Sequence, residues 1–265
     1  MTSEDFGVRR YAAIELARHA GTLFANADFD VRTIEAKSSP TDIVTAVDKE
    51  AEASIVRAIE RDFAGDGIYA EEGTSRDSET GYTWIIDPLD GTANFVRGLR
   101  SSAVSLALAY KDVVRMGVVF DPYANELFVG VFGEGATCNG QPLGVAEYDK
   151  DLDQSFVGVS GSNRQEPRRI RTELVSRLIN EADSVRDPGS TALSLCWTAA
   201  GRFNAHIGID VAWWDLAAGV VIAREAGCEA FGFHGEIDPT PEGFVVAPPN
   251  LTLALKKLLA DVGVG

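Results

Sequence analysis

Cysteine is scarce in this chain of 265 residues. Cys138, Cys196 and Cys228 are odd in number and lie far apart, which excludes a disulfide scaffold and a thiolate zinc site and leaves buried thiols in a reducing compartment. Histidine is equally scarce. His19, His206 and His234 have no metal-ligand spacing; His19 and His234 are read as structural or solvent residues, and His206 is expected near the rim of a pocket. Basic residues are also short, with 24 Lys and Arg against 40 Asp and Glu and a formal net charge of -16. That balance opposes the phosphate-backbone attraction on which nucleic-acid binding depends, so no nucleic-acid partner is expected. Long apolar runs are missing too. Val113 to Phe120 is too short to cross a bilayer, and the opening MTSEDFGVRR lacks the apolar stretch of a secretory signal. A cytoplasmic protein without a membrane partner is the expectation. Internal repeats and low-complexity tracts are absent.

The 45% of hydrophobic and 9% of aromatic residues are enough for a sizeable core. Apolar spacing predicts helices over Val8 to Leu23 and about Asp48 to Phe63. A short strand follows at Gly81 to Ile86, then strands over Ser102 to Tyr110, Val113 to Phe120 and Glu126 to Val131, turning at Lys111-Asp112 and Asp121-Pro122, an antiparallel meander. NGQPL at Asn139 to Leu143 reads as a turn, and acidic EYDKDLDQ at 147–154 as a seam between an N-terminal half, 1–147, and a C-terminal half, 148–265. The second half alternates: strand Phe156 to Ser160, helix about Arg168 to Asn180, helix Ser190 to Gly201, strand about Phe203 to Ile209, helix about Asp215 to Ala226, strand Gly243 to Ala247 and helix Leu251 to Asp261. Interleaving of this kind predicts layered packing of sheets and helices.

Residues 84–94, WIIDPLDGTAN, break a strand-like run with Asp87 and Asp90 followed by Gly91-Thr92. Pro88, lacking an amide hydrogen, is expected to end the strand and let the two carboxylates converge from a rigid turn. Gly91 permits close backbone approach, and its amide with that of Thr92 can face an anion. Carboxylates at one end and oxyanion donors at the other suit Mg²⁺ carrying a phosphate. Taken alone, the segment is equally an Asp-Gly turn closing a hairpin. Elsewhere, AEEGT at 70–74 offers adjacent Glu71 and Glu72. In WWDLAAG, Asp215 stands where a helix N-cap belongs, and Asp48 in KSSPTDIVTAVD likewise precedes a helix; capping and metal ligation both account for such residues. Trp213 and Trp214 are read as packing that fixes the Asp215 helix.

Taken together, Glu71 in AEEG, WIIDPLDGTANF, KSSPTDIVTAVD and WWDLAAG with the later EAG resemble the inositol monophosphatase family of metal-dependent, lithium-sensitive phosphatases, in order and along essentially the whole chain. The resemblance implies an α+β fold, a layered αβαβα sandwich with a mostly antiparallel N-terminal sheet and a mixed C-terminal sheet. It implies two or three Mg²⁺ ions: Glu71, Asp87 and the Leu89 carbonyl holding the first, Asp87, Asp90 and Asp215 the second, and a third near Glu71 through water. Catalysis is then assigned to Asp48, Thr92 and Glu71, with Thr92 hydrogen-bonded to Asp48 orienting and deprotonating the attacking water, and the Gly91 and Thr92 amides holding phosphate oxygens. The implied reaction is hydrolysis of a small phosphate monoester, inositol monophosphate or a related cyclitol or sugar phosphate, by a homodimer. Histidinol phosphate, fructose 1,6-bisphosphate and a 3′-phosphonucleotide are alternatives within the family, and a regulatory binding protein retaining the fold is the alternative of another class.

Substrate choice is assigned to Asp90, Gly91, Thr92, to Ser190, Thr191 and Ala192 in PGSTALS, and to Asp210. Seven residues before the WDLAAG aspartate, inositol-specific members carry a glutamate; this chain has Gly208, with Asp210 as the nearest substitute. Arg97 and Arg100 are read as surface residues, and Asp187 stands where the family often has a basic residue.

Overall fold

The computed structural model describes residues 3–27, 35–36, 43–145, 151–161, 165–239 and 241–264. Part of the KSSPTDIVTAVD run and part of the acidic seam at 147–154 lie outside them.

Helix α1 (Ser3–Ala25) precedes two short paired strands, β1 (Glu35–Ala36) and β2 (Ile43–Val44), and helix α2 (Ala46–Asp62). Thr45 is the N-cap of α2: its Oγ accepts from the Val47 amide at 3.2 Å, while Asp48 Oδ2 accepts from the Thr45 amide at 2.9 Å. This reciprocal box satisfies amides that a helix start otherwise leaves unpaired. Asp48 therefore lies inside the first turn, where the sequence suggested a residue preceding the helix.

An eight-stranded sheet follows, built from β3 (Gly67–Ala70), β4 (Ser75–Arg76), β5 (Tyr82–Asp90), β6 (Ala103–Tyr110), β7 (Val113–Asp121), β8 (Glu126–Val131), β9 (Gly135–Cys138) and β10 (Gln141–Pro142), with the five-residue helix α3 (Thr92–Val96) between β5 and β6. All its pairings are antiparallel except β3 with β5. Lys111 and Asp112 make the two-residue turn between β6 and β7, both with positive φ (50° and 63°), the geometry that matches strand twist in a tight hairpin.

The second sheet holds β11 (Phe156–Gly161), β12 (Ser184–Arg186), β13 (Ala205–Ile209), β14 (Glu229–Gly232) and β15 (Gly243–Ala247) in the order β12-β11-β13-β15-β14. β11 pairs in parallel with β12 and β13, while β15 runs antiparallel to β13 and β14, so this sheet is mixed. Its helices are α4 (Gln165–Glu181), α5 (Thr191–Ala199), α6 (Trp213–Glu225) and α7 (Pro249–Asp261).

Three apolar cores give the layers. Phe24, Ile55 and Ile59 of α1 and α2 pack on Trp84, Ile86, Leu106 and Met116. The opposite face of that sheet, with Ile85, Ala107, Val119 and Phe128, packs on α5 and α6, which meet Phe244 and Val246 of the second sheet on their other side. Leu174 and Leu178 of α4 and Leu251, Leu255 and Leu258 of α7 close the far face of the second sheet. The order is helices, sheet, helices, sheet, helices, the α+β sandwich that the motifs implied. Close approach at the centre needs glycine: a Cβ on Gly117 of β7 would lie 2.7 Å from backbone carbons of Ala218 in α6.

Candidate metal centre

β5 delivers the centre. Its side chains alternate between faces, Trp84 and Ile86 toward α1 and α2 and Ile85 toward α5 and α6. The alternation then breaks. Asp87 pairs with Ser105 and Asp90 with Ala103, so Pro88 and Leu89 on β5 oppose Val104 alone on β6, a bulge that absorbs Pro88 between the two aspartates. The strand therefore runs through Pro88 to Asp90, where the sequence predicted it would end; the bulge removes the need for a proline amide.

Asp87 and Asp90 are buried and Asp215 is half-buried, and one carboxylate oxygen from each lies within 4.8 Å of the others. Asp215 is the third residue of α6, inside its first turn rather than at the N-cap, a place held by Ala212; its amide bonds the Ala212 carbonyl at 3.2 Å. Burial and the neighbouring carboxylates Glu71, Asp215 and Asp90 hold Asp87 well above the usual carboxylate range. Burial with Asp90 and Glu71 does the same to Asp215, while burial lifts Asp90 to about 6 against the opposing pull of its hydrogen bonds. Asp87 also shares hydrogen bonds with Glu71 and with Asp215. A divalent cation among these carboxylates would offset the repulsion and burial that raise them. Buried oxygen donors at this spacing fit a hard cation such as Mg²⁺.

Asp90 is held from the second half of the chain. Ser190 Oγ donates to its Oδ2 at 2.5 Å and the Ala192 amide at 2.7 Å, so Asp90 sits on the N-terminus of α5, where helix amides favour negative charge. Ser190 also caps α5 by accepting from the Leu193 amide at 3.2 Å. The residues assigned to substrate in PGSTALS are buried, Ser190, Thr191 and Ala192 alike, and all three hydrogen-bond Asp90. Sequence reading did not find this, because the partners are 100 and 102 residues apart.

Gly91 takes a left-handed conformation, φ 95°, and a Cβ there would lie 2.8 Å from the Ser101 carbonyl, so only glycine fits. Asn94 Nδ2 ties this loop to the Ser101 and Pro188 carbonyls at 2.7 and 2.8 Å. Thr92 Oγ lies 2.8 Å from Asp48 Oδ1 and 3.1 Å from the Leu89 carbonyl. The Leu89 amide donates to Asp87 Oδ1 at 2.9 Å. Glu71 follows β3, its amide bonded to the Ile86 carbonyl at 3.1 Å.

Asp210 lies between β13 and α6 with φ 53°, its amide on the Glu242 carbonyl at 2.8 Å. A side chain at Gly208 would run into the ring of Phe244 across the β13–β15 pair. His206 is fully buried and not at a rim; its Nε2 lies 3.0 Å from Ser160 Oγ and its ring stacks near Phe244. Arg97 and Arg100 are exposed, and Asp187 pairs with Arg171. Trp214 packs against Tyr69 with ring centroids 5.1 Å apart and planes tilted by 48°.

The family model for the inositol monophosphatase family matches residues 8–262. The chain belongs to this family. Its inositol monophosphatase relatives include inositol monophosphatase 1 of Solanum lycopersicum, 32% identical over 255 residues and 93% of each chain. Another relative is the Nus factor SuhB of Pasteurella multocida, 38% identical over 241 residues and 89% of each chain. Among solved structures, the Thermotoga maritima IMPase superposes with a TM-score of 0.85 at 32% identity, covering 96% of this chain and 97% of the other. The family-wide placement joins the acidic cluster to a family that is Mg²⁺-dependent in general. No helix among the described residues is long and apolar enough to cross a membrane.

Proposed function

We propose that this inositol monophosphatase family member is a cytoplasmic, homodimeric Mg²⁺-dependent phosphatase that hydrolyses a small phosphate monoester. The observation that carries the reading is the convergence of Asp87, Asp90 and Asp215 within 4.8 Å beside the Thr92–Asp48 pair. Glu71, Asp87 and the Leu89 carbonyl would hold one Mg²⁺, Asp87, Asp90 and Asp215 a second, and water around Glu71 a third. Bound ions supply charge neutralisation for the phosphate and a lower pKa for water. The chain's own residues do the rest. Thr92 gives its hydroxyl hydrogen to buried Asp48, which leaves the Thr92 oxygen free to accept a proton from the water that attacks phosphorus. The proton passes toward Asp48, a phosphorus–oxygen bond forms from the water, and the bond to the ester oxygen breaks, the departing alkoxide taking a proton from solvent water to leave as the alcohol. The amides of Gly91 and Thr92 face the phosphate oxygens. With the local field inverted by cations, an acidic protein can hold a phosphate dianion.

Inositol monophosphate or a related cyclitol or sugar phosphate is the substrate class we assign. Gly208 with Phe244 packed over it leaves no carboxylate at the position where inositol-specific members carry glutamate, and Asp210 in its left-handed turn is the acidic side chain we assign to substrate hydroxyls. A panel of inositol, sugar, histidinol, bisphosphate and 3′-nucleotide phosphates, each assayed with Mg²⁺ and with EDTA, tests both statements. Metal-dependent release from the cyclitol and sugar members supports them; release confined to another class overturns the substrate assignment, and no release from any member overturns the enzyme reading. A second reading, a regulatory binding protein, is favoured by the name Nus factor carried by the SuhB relative. It predicts a function that survives loss of the acidic cluster.

A further inference from the structure

Helix α2 carries a second buried carboxylate one turn beyond Asp48. Glu52 is 4% exposed, and its hydrogen-bond donors among the described residues are neutral. Its Oε2 accepts from the Glu72 amide at 2.7 Å, and its Oε1 accepts from the Thr74 amide at 3.2 Å and the Thr74 hydroxyl at 2.7 Å. Residues four apart share one face of a helix, so a single face of α2 sends Asp48 to Thr92 and Glu52 to the turn that carries Glu71.

We propose that Glu52 is a positioning residue that acts through Glu71, holding its carboxylate in place for a divalent cation; this rests on the reading of the centre as a metal-dependent phosphatase site. The turn needs such a hold. On one side the Glu71 amide bonds β5 through the Ile86 carbonyl. On the other, β4 contributes two residues at the edge of the sheet, paired among the described residues with β3, and its Arg76 side chain bonds the Asp66 carbonyl. Gly73 at φ 106° adds no stiffness of its own. Within the turn the Ala70 amide donates to the Thr74 carbonyl at 2.9 Å and the Gly73 amide to the Ala70 carbonyl at 3.4 Å, and the three bonds to Glu52 tie this turn to α2. Glu52 also costs free energy. Nearby α2 residues Ile55 and Ile59 are buried and apolar, and a side chain like theirs would avoid the desolvation that a buried carboxylate suffers with only neutral donors to offset it. What the carboxylate supplies in exchange is three directed bonds to the loop beside a metal ligand. Residues that orient a ligand from behind in this way typically change metal affinity or activity by about 10–100-fold when replaced.

The test is a double-mutant cycle read by calorimetric titration with Mg²⁺ on the full chain, using Glu52→Gln, Glu71→Gln and the pair. Glutamine keeps one acceptor oxygen and turns an amino group toward the loop's donors, so the geometry fails while the volume is kept. The expected result is that Glu52→Gln weakens Mg²⁺ binding about tenfold in the wild-type background. In the Glu71→Gln background it should add nothing, because its effect passes through that residue. Equal Mg²⁺ binding by wild type and Glu52→Gln, or losses that add in the double variant, overturns the proposal. Wild-type protein that takes up no Mg²⁺ overturns the phosphatase reading and the proposal with it. If circular dichroism finds Glu52→Gln unfolded, Thr74→Val, which removes only the hydroxyl donor, takes its place: a loss of twofold or more supports the proposal and unchanged binding overturns it.

Discussion

His206 is held neutral by its surroundings. Ser160 bonds one ring nitrogen, the other has no hydrogen-bond partner among the described residues, and burial pushes the imidazole from 6.5 down to about 3. The unfolded chain takes up a proton on this residue as pH falls below 6.5, while the native protein does not until about 3. The contribution to stability is therefore complete above 6.5 and is lost as pH falls through that window, on the order of 5 kcal/mol over its whole width. Replacing His206 with Asn should remove one group's rise in stability from pH 4 to 6.5, read in urea unfolding as a difference between wild type and variant that grows with pH across that window; parallel profiles would contradict the assignment. The candidate acidic cluster stands out in the sequence more than this histidine does. Asp87 and Asp90 stand three residues apart beside Gly91, and Asp215 follows two tryptophans, so their chemistry lies in local spacing. The bonds from Ser190 to Asp90 and from Glu52 to Thr74 join positions 100 and 22 residues apart, and no local pattern carries them.

At the scale of the element, α6 lies so close to β7 and β8 that glycines face it. A Cβ on Gly130 would come 2.6 Å from the Cα of Ile222, as one on Gly117 would crowd Ala218. Gly117→Ala should destabilise the protein by about 1–3 kcal/mol, seen as a lower denaturation midpoint at unchanged m-value. Because α6 carries Asp215, the same variant should bind Mg²⁺ more weakly. The long elements followed from periodicity, and the Lys111-Asp112 turn from its two residues. Strands β3, β4, β9, β10, β12 and β14 did not, because two to four residues are too few for alternation to register. Strand β5 outran its expected end because the bulge accommodates Pro88. The helix starts at Asp48 and Asp215 moved upstream because Thr45 and Ala212 take the cap positions.

For the whole molecule, metal and stability are linked. Burial and mutual repulsion raise Asp87 and Asp215 well above the ordinary carboxylate range, and burial raises Asp90 to about 6. Between the ordinary carboxylate value and these raised ones the native state binds more protons than the unfolded chain, so metal-free stability falls as pH rises through about 6. A bound cation removes that penalty. The rise in melting temperature on adding Mg²⁺ should therefore be larger at pH 8 than at pH 5, and an equal rise at both would contradict the linkage. The layered order of sheets and helices was legible from the interleaved elements and from the family resemblance. The pressing of α5 and α6 between two sheets, which brings Asp215 and Ser190 onto Asp90, is a property of the assembled fold.

The proposed chemistry of this cluster is turnover of a phosphate ester with Mg²⁺. Phosphate release from inositol monophosphate, titrated with Mg²⁺ for wild type beside Asp90→Asn, tests it most directly. Wild type should show saturable, EDTA-sensitive release, and Asp90→Asn, still folded, should lose at least 100-fold. Release that persists in EDTA, or survives in Asp90→Asn, would contradict the account.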